Sequence, residues 1–450
     1  RKKRPIFASE KAFCVFYHCC NRQNLLQVKQ QCTTTFTNKK PKPQTMKKNL
    51  IGLALLAILS SCSSSEQPAP QNEFVPIPLT RSEESIVKAN NDFAFGLLKN
   101  TADINKEMPA VVVSPFSATT FFGMMANATA GTSKQEILKT FGFDDLNAFN
   151  DFSRKMNAQL ASIDNSSDIR IGHLVVNGND YECSASFKEL AADYYDADFL
   201  NLGDKSNLIE WFTSKAKWTK EFAEQQIYSR MFDPRFTFAE TFYFKGKWAS
   251  KFDKNDKIDF AVSKGESTKV EAMKYNNSFA YAWNASCQRI DIPFGNGAFK
   301  FTVLLPSESS SIDSFVQNFD ANQWDALTSA MKETQGQFDG LILPKFKINE
   351  QLPLQYSFTA MGIKSIFENG VADFSALTSK EFYIDGITQV CGIAIDEEGG
   401  EASNTTHNDI YIAPEKPTAP ETLTVNRPFV FILSESSTGA ILQAGVIKAL

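Results

Sequence analysis

After the strand-like run VCGIAI at residues 390–395 come ten small or acidic residues, EEGGEASNTT at 397–406. A polar tail then leads to RPFVFIL at 427–433. The ten residues carry too little apolar surface to build a core, and they are too many for a tight two-residue turn. Any fold for this chain must therefore end a buried-looking strand in a long segment that neither packs nor closes a hairpin. That requirement constrains the architecture more than composition does.

The chain opens on Arg1, and its first methionine is Met46. Lys47, Lys48, the apolar run LIGLALLAIL at 50–59, then Ser60, Ser61 and Cys62 follow in the order of a basic start, a short apolar stretch and a small-residue cleavage site. That stretch is too short to remain as a membrane-spanning helix. Leu59–Cys62 has the shape of a bacterial lipobox, so Cys62 is expected to be lipidated and to become the new N-terminus. Residues 1–45 are expected to precede the true start, 46–61 to be a lipoprotein signal peptide, 62–79 a Ser/Pro-rich flexible tether, and 80–450 one large domain. The expected location is the cell envelope, as a lipoprotein of the outer membrane facing the periplasm or the cell surface.

Residues 1–61 hold 12 Lys+Arg and one acidic residue, so the remainder has 34 basic and 50 acidic residues, a net charge of −16. An acidic chain of this kind has no electrostatic footprint for nucleic acid. Beyond Cys62, only Cys183, Cys287 and Cys391 remain, with neither disulfide-framework nor metal-ligand spacing. His173 and His407 are the only histidines past residue 61, which excludes a histidine-rich metal site. No metal and no cofactor are expected.

Local signals give an α+β chain with mostly antiparallel sheets. Thr80 and Glu83 form a capping box ahead of Ile86, Ala89, Phe93 and Leu97, which share one helical face. Ser114-Pro115 marks another helix start, with the helix running to Gly131, and Thr132 is expected to cap a short helix through Ile137 and Leu138. RIDIPF and AFKFTVLLP flank Gly295-Asn296-Gly297 as a hairpin, and PFVFIL pairs with AILQAGVI across SESSTG. Ser85–Lys88 and Ser214–Lys217 fit the S-x-x-K pattern of penicillin-interacting enzymes, but the chain has no S-D-N and no K-T-G, so no enzyme is expected. Gly295-x-Gly297 lacks a third glycine and reads as a turn. His173, in IRIGHLVV, reads as a satisfied core or edge residue.

SPFSATTFFGMMANATAGTSKQEI at 114–137, FYFKGKW at 242–248, VEAM at 270–273, LPKFK at 343–347, EEGGEAS at 397–403 and NRPFVFIL at 426–433 together resemble the serpins, in order and spacing, over residues 80–450. The resemblance implies a fold of three mainly antiparallel sheets, about nine helices and an exposed reactive loop. It also implies suicide-type inhibition of serine, and also cysteine, endopeptidases: the target cleaves the loop, the loop enters the main sheet as a strand, and the acyl-linked protease is carried across the molecule and deformed. The alternative is a non-inhibitory binding or scaffold protein on the same fold, cut as a substrate without trapping.

The hinge implied by the resemblance is Glu397, Glu398, Gly399, Gly400, Glu401, Ala402 and Ser403. Residues 399–413 contain no proline, which suits a strand inside a central ladder. If Gly400 faces the core, period 2 turns Ala402, Asn404, Thr406, Asn408, Ile410 and Ile412 inward as well. Buried amides at Asn404 and Asn408 without partners would each cost about 1–3 kcal/mol. The seventeenth residue from Glu397 is Ala413, before Pro414. The bonds Ile412-Ala413 and Tyr411-Ile412 are the nearest better substrates, favouring elastase-like or chymotrypsin-like targets, with subtilisin- and papain-type proteases also open. Residues 397–413 span about 56–61 Å when extended.

In the region where the sheet opens, Ser114 and Ser117 match the family, whereas Glu240 and Gln389 stand where an asparagine and a histidine are usual. A Glu–Gln pair could restore the same hydrogen bond, or both positions have drifted. Trp248 is kept where the loop first enters, and Trp211 is the one match in its helix. The protein is expected to be a monomer that meets its target protease, held to the membrane through Cys62.

Overall fold

A computed structural model describes residues 71–228, 235–263, 265–334, 337–400 and 422–450. Ten α-helices and three sheets of seven, four and six strands are present among them.

The first helix, α1 (Arg81–Ile104), starts as its sequence dictates. Glu83 N–H donates to Thr80 Oγ1 at 3.3 Å and Thr80 N–H to Glu83 Oε2 at 2.7 Å. Ile86, Phe93 and Leu97 turn into the core, as their spacing requires. Helix α2 (Pro115–Ala128) is apolar nearly all round and is buried on every side. Its Thr119 and Thr120 hydroxyls donate back to the carbonyls of Pro115 and Phe116, so both buried threonines are satisfied within the helix. Gly123 lets the neighbouring helix press in, since a Cβ there would stand 2.1 Å from the Phe149 ring.

Four local expectations change. α2 ends at Ala128, and Ser114 does not cap it by side chain: Ser114 Oγ donates instead to Leu442 O at 2.8 Å, across the core. The next helix, Gly131–Phe141, begins before Thr132, with Ala130 at its N-cap. The end of the expected tether is held to the domain, because Ile77 is 4% exposed within the core and its N–H donates to Ser437 Oγ. An apolar side chain near a core is drawn in even from a Ser/Pro-rich stretch.

Both expected hairpins form. Cys287–Phe294 pairs with Phe299–Pro306, with Gly295 (φ 48°) and Gly297 (φ 90°) in the left-handed region that this turn needs. Phe429–Glu435 pairs with Ile441–Ile447.

The six-stranded sheet positions the candidate site. Its strands are β1 (Ser167–Asn177), β2 (Ala197–Asn201), β3 (Phe236–Lys247), β4 (Phe346–Pro353), β5 (Thr388–Ile395) and β6 (Gly399–Gly400), in the order β4-β5-β6-β3-β1-β2. All neighbours are antiparallel except β1 and β2. The inner face lies on α2. The outer face of β1 carries a second apolar cluster with helices α3 (Lys205–Lys215) and α4 (Lys220–Tyr228).

Candidate functional site

The residues EEGG end β5 and turn straight back into the sheet. Gly399 pairs with Lys247, and Gly400 with both Gly246 of β3 and Ile395 of β5, so β6 is a two-residue wedge at the top of the seam between β5 and β3. Only glycine fits the first position, since a Cβ on Gly399 would lie 2.0 Å from the Gly246 carbonyl oxygen. On Gly400 a Cβ would meet the core ring of Phe294 at 3.2 Å, so that residue presents its open side inward.

A dense set of bonds fixes the wedge. Asp396 Oδ1 accepts the N–H groups of Glu398 and Gly399, closing the turn. Trp248 donates Nε1–H to Asp396 O at 2.7 Å and its backbone N–H to Glu398 O, and its ring stacks on Phe294 at 4.3 Å. Glu397 is half-buried against Lys345 at 3.0 Å, and Glu398 meets Lys251 in solvent at 2.7 Å. The exposed pair adds little stability, while the half-buried one is better screened from water. Trp248 is therefore both core aromatic and wedge anchor.

Below Gly400, among the described residues, no ladder pair joins β3 directly to β5. A slot of about 390 Å³ follows the seam, with Phe242, Phe244 and Ile393 in its walls and Phe212, Trp218 and Phe222 at its outer side. Halfway down, one side-chain bond crosses it: Gln389 Nε2 donates to Glu240 Oε1 at 2.9 Å. The same amide accepts the Ser114 N–H at Oε1 (2.9 Å) and donates to Ser114 O (3.1 Å), so the start of α2 fixes which way it points. Ser117 is buried in the next turn of α2. Glu240 lies deep beneath the sheet surface yet lines the slot, so it is half-buried. Burial there pushes its carboxyl up to about 7, against the opposing pull of the Gln389 hydrogen bond.

Glu397, Glu398, Gly399, Gly400, Trp248, Ser114, Glu240 and Gln389 thus lie along one seam, and Ser117 is buried within α2. Glu401, Ala402, Ser403, Tyr411, Ile412, Ala413 and Cys62 lie outside the described residues. Sequence reasoning missed four features. Asp396 and Lys345 hold the hinge, and Gln443 Nε2 donates to Gly392 O on β5. The fourth is the corner at 216–219 that separates helices α3 and α4, in which Lys217 has φ 56°. The repeated aromatics Trp211, Phe212, Trp218 and Phe222 were the available signal for that corner, since Phe212 stacks on Trp218 at 4.4 Å. Among the described residues no three His, Cys, Asp or Glu side chains come together to hold a metal ion.

A family model described as Serpin (serine protease inhibitor) matches residues 88–449. The chain is a serpin. It is 24% identical over 411 residues to an uncharacterized serpin-like protein of Methanosarcina acetivorans, a match spanning 89% of this chain and 96% of that one. It is 23% identical to leukocyte elastase inhibitor A of Mus musculus, over 80% of this chain and 98% of that one. The native-state structure of tengpin, a thermophilic serpin, superposes with a TM-score of 0.70 at 23% identity, covering 84% of this chain and 98% of tengpin. The likeness to tengpin shows the fold. The family includes many protease inhibitors.

Proposed function

We propose that this serpin inhibits serine endopeptidases, and cysteine ones of papain type, by suicide trapping, with the seam between β3 and β5 as the place where the cut loop enters. The observation that carries the reading is the wedge: Gly399 and Gly400 already stand as ladder residues between β5 and β3, in register with both. Continuing those pairs residue by residue gives the inserted strand its neighbours. Ala402 comes level with Phe244 and Ile393, Asn404 with Phe242 and Cys391, and Thr406 with Glu240 and Gln389.

The Thr406 hydroxyl has one donor and two acceptor sites. It can therefore accept from Gln389 and donate to Glu240, replacing the bond that insertion breaks. Ile410 reaches Phe236, the first residue of β3, so the strand is filled just before Tyr411, Ile412 and Ala413. A cut at Ile412-Ala413 or Tyr411-Ile412 would leave the acyl-linked protease at the far end of the sheet. The serpin supplies no catalytic group in this scheme. The protease serine attacks the loop carbonyl, the peptide C–N bond breaks, and the ester persists because the deformed protease cannot hydrolyse it. Aliphatic Ile412 and Ala413 suit an elastase-like target, and Tyr411 a chymotrypsin-like one.

The test is to mix the protein with elastase, chymotrypsin, subtilisin, trypsin and a papain-type protease, then boil in denaturant. A band at the summed mass with elastase or chymotrypsin, together with a released peptide starting at Ala413 or Ile412, is the expected result. Loop cleavage without a complex for any protease would replace trapping by the scaffold reading.

A further inference from the structure

We propose that the protonation state of Glu240 sets how readily the seam between β3 and β5 opens, a neutral carboxyl keeping it shut and an ionised one loosening it. The inference rests on reading this seam as the loop's place of entry, and it concerns regulation of that entry.

The geometry leaves Glu240 as the side chain that bonds across the slot, while among the described residues its surroundings supply no buried counter-charge. Gln389 gives it one neutral hydrogen bond, and the rest of that amide is committed to Ser114. From β5, Cys391 faces the carboxyl as a buried thiol, held neutral by burial and by Glu240 itself. From β1, His173 stands directly across the ladder from Glu240. Its ring is bonded to Tyr195 O at 2.9 Å and to Thr120 Oγ1 at 3.2 Å, and burial lowers it to about 4, so it is neutral from weakly acid to basic pH. From α2 the neighbouring groups are neutral, the Ser114 hydroxyl at its N-cap being spent on Leu442 O and the Thr120 hydroxyl on Phe116 O and His173, and from the strand behind the sheet the Gln443 amide lines the same slot. Lys217 and Lys347 line the same slot, but both are exposed to solvent.

An ionised carboxylate held among neutral groups in a narrow slot is poorly solvated, and opening the seam lets water reach it. Burial raises the closed-state carboxyl to about 7, whereas an open seam returns it toward its ordinary 4.5. Between those values the open form binds fewer protons than the closed one. Opening therefore becomes easier as pH rises through that window, and levels off above about 7.

The experiment is amide hydrogen exchange of the full chain without any protease, read by mass spectrometry on peptides covering 236–247 and 388–395. Measurements at pH 5.5 and 7.5 are corrected for the intrinsic pH dependence of exchange. The expected result is opening roughly twentyfold more favourable at the higher pH in the wild type, collapsing to about onefold in Glu240→Gln. A wild-type ratio near one would overturn the inference, as would a ratio that persists in the variant. Should Glu240→Gln not fold, Glu240→Asn supplies a second neutral side chain, and the wild-type ratio alone still decides against the idea. Because no protease takes part, a protein that traps nothing can still show the pH ratio, and a trapping protein can lack it.

Discussion

Gln389 shows how much one amide can settle. Its Oε1 takes the Ser114 N–H, so its Nε2 must face both Ser114 O and Glu240, and no flipped orientation satisfies all three partners. His173, across the ladder from Glu240, is satisfied in the same way but titrates in a different range. Its imidazole is fully buried and lowered to about 4 from an ordinary 6.5, with burial the dominant cause. Between those values the unfolded chain binds a proton that the native state refuses, so stability is complete above 6.5 and is lost as pH falls toward 4. The expected slope from this one group is up to about 1.4 kcal/mol per pH unit. Urea titrations between pH 7 and 4 on the wild type and on His173→Gln check it: the variant should lose that part of the slope, and an unchanged slope would remove His173 as its source. The sequence reading placed His173 as a satisfied core or edge residue; its partners at 120 and 195 were not legible, because they come from other elements.

At the scale of elements, the seam and the corner above it belong together. Phe212, Trp218 and Phe222 line the outer side of the slot, and Trp218 stacks on Phe212 and meets Phe222 edge-on at 4.8 Å. On the proposed trapping, a strand added between β5 and β3 would pass beneath that corner. Trp218→Ala should lower the unfolding free energy by about 1–3 kcal/mol, less than a fully buried tryptophan because the ring is only half-buried. Urea denaturation measures it; a change below about 0.5 kcal/mol would mean that the corner is held by something other than the stack. The capping box of α1 and the Gly295-Asn296-Gly297 turn were legible because each is closed by residues within a few positions of one another. The break between α3 and α4 was not, because Lys217 adopts its left-handed backbone with neither glycine nor proline to mark the place.

For the whole molecule, the proposed trapping requires a native form that is less stable than the form with the loop inserted. Residues 401–410 would add a full ladder strand against β3 and β5, each hydrogen bond giving a net of about 0.5–1.5 kcal/mol. Cleavage at Ile412-Ala413 should therefore raise the thermal midpoint by at least about 10 °C. Calorimetry before and after limited proteolysis tests this, and an unchanged midpoint after a clean cut would show that the cleaved loop stays out. The sequence by itself determined the class of fold, the order of its elements, the hairpin turns and the composition of the hinge. The α+β class and the hairpin turns follow from periodicity, caps and turn residues along short stretches, whereas the hinge and the order of elements follow from the resemblance to the serpins. It also marked Glu240 and Gln389 as a pair able to bond. Only the tertiary structure decided that they do, 149 residues apart, that the Ser114 hydroxyl turns from its own helix to Leu442 O in the core, and that Gly399 and Gly400 already wedge the seam. Those outcomes depend on which distant surfaces pack together and which polar groups are then left facing one another, and local patterns carry no record of that.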